Sequence, residues 1–77
     1  MEIKTFIESF AAQFDETDAS VIKEDTVFKE LDEWSSLIAL SVIAMVDEEY
    51  DVALKGDDIR NSQTVEDLFN LVKSKVQ

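Results

Sequence analysis

The chain has 77 residues, with 7 Lys or Arg against 18 Asp or Glu, a formal charge of −11 at pH 7, and neither Cys nor His. A chain this short is expected to make one domain spanning 1–77, with little core to spare around an enclosed active site; lacking thiol and imidazole, it has no disulfide frame, thiolate nucleophile, imidazole base or nitrogen/sulfur metal site. Such acidity repels nucleic acid phosphates and anionic lipid heads, so charged partners are expected to be basic protein surfaces.

The first segment, about Glu2 to Gln13, sets Ile3, Phe6, Ile7, Phe10 and Phe14 on one stripe of a helix with ~3.6 residues per turn. From Asp15 to Trp34 the pattern loosens into polar clusters with scattered Val21, Ile22, Val27, Phe28 and Leu31. This reads as a long connection pinned by its apolar residues, of a length that is usually functional or hides short helical pieces. Trp34 is expected to cover the edge of the core beneath it.

A second helix is expected from about Ser36 to Asp51, with Ala39, Val42, Ile43, Val46 and Tyr50 as its core stripe. On the opposite side fall Leu37, Leu40, Ser41, Ala44, Asp47 and Glu48, an apolar patch with an acidic border. That pairing suits docking, where apolar contact supplies affinity and charge steers the encounter. Lys55-Gly56-Asp57-Asp58 reads as a turn, followed by a short helical piece around Ile59. The last helix begins near Thr64, which with Asp67 forms a capping-box-like pair, and it turns Val65, Leu68, Phe69, Val72 and Val76 inward. With no Pro and only Gly56, and no sustained period-two alternation, the fold class is all-α: a small four-helix bundle of three main helices and one short one. No apolar run approaches the roughly 18 residues of a membrane span, and the N-terminus shows no signal-peptide pattern, so a cytoplasmic location is expected. The acids invite a calcium proposal, but Asp15 to Thr26 lacks the central glycine and closing Glu of an EF-hand loop, and no metal site is expected.

The start of the second helix carries the chemistry. Leu31-Asp32-Glu33-Trp34-Ser35-Ser36-Leu37 places a hydroxyl at a helix N-terminus, where free N–H groups and the positive dipole end favour a phosphate. Here the sequence resembles the acyl carrier protein family. The resemblance rests on Leu31, on Ser36-Leu37 as the family's Asp-Ser-Leu modification motif, on the acidic-aromatic-acidic run Val46-Asp47-Glu48-Glu49-Tyr50-Asp51-Val52, on Leu54, and on Thr64-Val65-Glu66-Asp67-Leu68 as the start of the last helix. It spans about Thr26 to Leu71. Ser35 stands where the family has Asp, the usual glycine of the preceding loop is replaced within Asp32-Glu33-Trp34, Ser41 stands at an often acidic position, and Ser62 stands where an aliphatic residue is common.

The resemblance implies that Ser36 carries 4′-phosphopantetheine through a phosphodiester, attached by a phosphopantetheinyl transferase; Ser35, by its place at the helix start, is expected to cap the helix or face solvent. It implies a monomeric carrier, not an enzyme, that shuttles acyl thioesters between fatty acid or related biosynthetic enzymes. Leu37, Leu40, Ser41, Ala44, Asp47 and Glu48 would then meet acyl-transfer and ketoacyl synthase-type enzymes with basic docking surfaces. The alternatives are a carrier of aminoacyl or polyketide units, and an unmodified acidic helical adaptor that binds basic proteins.

Overall fold

The computed structural model describes residues 2–76. Helix α1 (Ile3–Ala11), α2 (Ser36–Tyr50), α3 (Gly56–Asn61) and α4 (Val65–Lys75) form a small all-helical bundle, and two single 3-10 turns, Ala19–Val21 and Phe28–Glu30, lie within the long first connection. Among the described residues there is no strand, only an isolated antiparallel bridge between Val27 and Thr64. Among the described residues no helix is long and apolar enough to cross a membrane.

The aromatic stripe of α1 organises the core. Phe6 and Phe10 are fully buried, and all five Phe, Trp34 and Tyr50 join in one unbroken set of ring contacts. Phe6 meets Phe69 of α4 at 5.6 Å and Tyr50 of α2 at 5.9 Å between ring centroids, in tilted or edge arrangements. Phe10 passes the contact to Phe28, and Phe28 meets Trp34 edge-on at 4.9 Å. Trp34 thus covers the edge of the core, half-buried, as its place in the connection led one to expect. Helix α1 ends at Ala11, shorter than the expected Gln13, but Phe14 remains buried because turns at its end fold it back.

The connection is held differently from the expectation. Ile22 and Phe28 are buried and Leu31 half-buried, but Val21 and Val27 are exposed, and Val27 is tied in through its backbone bridge to Thr64 and not by its side chain. Hydrogen bonds do the rest. The Val65 N–H donates to the Thr26 carbonyl at 3.1 Å and the Glu66 N–H to the Glu24 carbonyl at 2.8 Å, tying the connection to the start of α4. There Thr64 and Asp67 complete the capping box foreseen from their spacing.

Helix α2 buries Ile38, Val42, Met45 and Val46. Ala39, Ile43 and Tyr50 of the expected core stripe are only half-buried, so the inward face is turned by roughly 70°, at ~100° per residue, from the predicted one. The reason is that Ile38 and Met45 are as apolar as the residues they displace, and packing alone chose between the two arcs. The helix stops at Tyr50 because Asp51 adopts the left-handed conformation, φ 56°. Gly56 and Asp57, expected within a turn, are already helical in α3. This helix buries Ile59, and Ser62 just beyond it is buried with its hydroxyl donating to the Asp58 carbonyl at 3.0 Å. The inward stripe of α4 ends at Val72; Val76, expected to continue it, has left the helix and is exposed.

Candidate functional site

The two serines before α2 play distinct parts. Ser35 is extended (φ −155°, ψ 173°) and caps the helix, its hydroxyl oxygen accepting from the Ile38 N–H at 3.3 Å and its carbonyl accepting the first helical bond, from Ala39 at 2.9 Å. Ser36 is therefore the first helical residue and is exposed. Its hydroxyl has no protein partner among the described residues, and neither its own N–H nor that of Leu37 finds an acceptor among them. An exposed nucleophilic oxygen beside two open N–H donors at a positive dipole end fits a phosphodiester in charge and in hydrogen-bonding capacity.

The expected docking face is open as well. Leu37 is 76% and Leu40 61% exposed, which is unusual for leucines on a helix in a small domain. Ala44, Asp47 and Glu48 are exposed beside them, while Ser41 lies at the edge of the face, half-buried, in a shallow depression shared with Gln13 and Glu48. Asp47, Glu48 and Glu49 sit in the last turn of α2, the negative end of its dipole, where carboxylates weaken a helix. The one ion pair among the described residues, Arg60 with Asp57, engages none of the three. Glu49 accepts a hydrogen bond from the Ser9 hydroxyl at 3.1 Å and joins the ends of α1 and α2, whereas the Asp47 and Glu48 side chains make no hydrogen bond or ion pair among the described residues.

Glu33 has a part that no local pattern announces. Its carboxylate accepts from the backbone N–H groups of Asp15, Glu16 and Thr17 at 2.6, 3.0 and 2.8 Å, and from the Thr17 hydroxyl at 2.7 Å. One side chain thus clips the start of the connection to the segment just ahead of Trp34 and Ser35. Partial desolvation pushes its pKa up, but the Thr17 hydroxyl and the three backbone N–H groups together outweigh this and bring it down from 4.5 to about 2. A carboxylate with a depressed folded-state pKa contributes stability in full above its unfolded value, which is lost as pH falls from 4.5 through about 2. Glu33→Gln, which cannot accept all four bonds, should melt earlier than wild type at pH 7, and the gap should close across that acid window. Parallel melts at pH 7 and at pH 2 would contradict the clip.

Beside Ser36 an open groove of about 600 Å³ runs between α2 and α3, with Trp34, Ala39, Ile43 and Ile59 supplying apolar walls. Lys29 and Arg60 also line it, positions that sequence reasoning did not single out. No family model, curated protein or solved structure matches the chain.

Proposed function

We propose that this chain is an acyl carrier protein of the cytoplasm, a monomer that bears 4′-phosphopantetheine on Ser36 and performs no chemistry itself. The observation that carries the reading is the exposed, unpartnered Ser36 hydroxyl at the first position of α2, left free because Ser35 does the capping. Ser35 in place of the family's Asp is compatible with this, since either residue caps a helix. The arm supplies the thiol that the cysteine-free chain lacks, to hold acyl groups as thioesters. The chain's own part is to present that arm: the open N–H groups of Ser36 and Leu37 accommodate the phosphate charge. Leu37, Leu40 and Ala44 give phosphopantetheinyl transferase and acyl-transfer or ketoacyl synthase-type enzymes an apolar seat. Ser41 borders that seat, and Asp47 and Glu48 draw basic partner surfaces toward it.

Intact mass after incubation with coenzyme A and a broad-specificity phosphopantetheinyl transferase tests the reading: the wild-type chain should gain one arm. No gain would return the chain to the second reading, an unmodified adaptor, which the exposed Leu37 and Leu40 favour on their own. Steering is tested separately. Asp47→Lys with Glu48→Lys replaces acids at the negative end of α2, so circular dichroism and melting should be unchanged or improved. Loading by partner enzymes should nevertheless slow on the order of tenfold at low salt. Equal rates would remove Asp47 and Glu48 from the docking surface.

A further inference from the structure

Lys29 is the one basic side chain among the described residues that is not exposed, and in a chain with 18 acids it has no carboxylate partner. Its ammonium donates to the Arg60 carbonyl at 2.7 Å, at the end of α3, and lies 5.9 Å from the centre of the Phe28 ring. These contacts hold the charge in place and leave two of its three N–H donors uncommitted. Arg60 stands beside it, paired with Asp57 through one nitrogen and free to donate from the rest of its guanidinium. Both line the groove that opens next to Ser36, and none of the 18 acids does. The groove lining therefore holds two cations and no acid, although Arg60 is shared with Asp57 at its edge.

We infer that the groove selects a thioester cargo whose apolar chain ends in a carboxylate, with Trp34, Ala39, Ile43 and Ile59 covering the chain and Lys29 and Arg60 receiving the charge. Charge complementarity argues for this occupant over a neutral acyl chain, which would leave the held Lys29 ammonium without a carboxylate. A lone inorganic anion would leave the apolar walls uncovered. The inference rests on Ser36 bearing the arm, but its test does not pass through the transferase.

The absence of cysteine from the chain makes Ser36→Cys a unique thiol. It can be alkylated with an arm-length haloacetamide whose short alkyl tail ends either in a carboxylate or in the isosteric carboxamide. The carboxylate adduct should melt about 4 °C above the carboxamide adduct, and the difference should disappear in Lys29→Gln, in Arg60→Gln and in high salt. The backbone amides of Ile43, Ile59 and Arg60 should shift in the nuclear magnetic resonance spectrum of the first adduct and not of the second. Identical melting and spectra for the two tails would overturn the selection of an anionic cargo, even where the mass gain on wild-type Ser36 upholds the carrier. A difference that survives both substitutions would place the anion elsewhere and overturn the assignment to Lys29 and Arg60.

Discussion

Ser36→Ala should gain no arm at all under conditions that load the wild-type chain completely, whereas Ser35→Ala should still gain one and should melt earlier. The contrast follows from one residue of difference in position. Ser35 supplies a side-chain acceptor to the Ile38 N–H, and replacing such a cap by Ala costs about 1 kcal/mol of stability. In a domain of this size that corresponds to a fall in melting temperature of roughly 4–8 °C. Ser36 supplies nothing to the helix: its hydroxyl is exposed and unpartnered among the described residues, so its loss should leave melting within about 0.5 kcal/mol of wild type. On the proposed function, modification and helix capping fall to adjacent serines, and intact mass with thermal melts reads both. A mass gain that moves to Ser35, or persists in Ser36→Ala, would show that the transferase uses the other hydroxyl and that the cap is dispensable.

Phe6→Ala should be the most damaging single substitution for the fold. Phe6 is fully buried and is the ring at which three helices meet, in contact with Phe10 of its own helix, Tyr50 of α2 and Phe69 of α4. Truncation removes the transfer free energy of the ring and leaves a cavity that the surrounding helices cannot fill, together about 3–5 kcal/mol. Small domains hold a total of roughly 5–15 kcal/mol, so the melting temperature should fall by about 15–30 °C, and far-ultraviolet circular dichroism should show partial unfolding at ambient temperature. Leu37→Ala is the matched control, since a leucine that is 76% exposed should cost the fold almost nothing while weakening partner contact. Similar melts for the two variants would mean that the aromatic cluster is not what joins the helices.

Much of this molecule follows from local rules. The spacing of Phe6 and Phe10 made α1 amphipathic whatever it packs against, and Thr64 with Asp67 specified the start of α4, because a capping box needs only residues three apart. The separation of Leu37, Leu40, Ala44, Asp47 and Glu48 from the core was likewise legible, since helical periodicity keeps those positions together on one side. Ser36 stood out as a hydroxyl at a helix start followed by Leu37.

What the chain order could not decide was anything that depends on partners distant in sequence. Helix α2 carries apolar residues around most of its circumference, so periodicity alone allowed more than one inward arc, and contact with the other helices selected Ile38 and Met45 over Ala39 and Ile43. Glu33 looked like one more solvated acid, but its ligands lie 16 to 18 residues upstream and come into reach only when the connection folds back. Lys29 meets the Arg60 carbonyl 31 residues away, and only that closure puts two cations along the groove next to Ser36. Short-range spacing determines helices and their caps; the electrostatics of a groove belongs to the assembled bundle, because charges act through space and not along the chain.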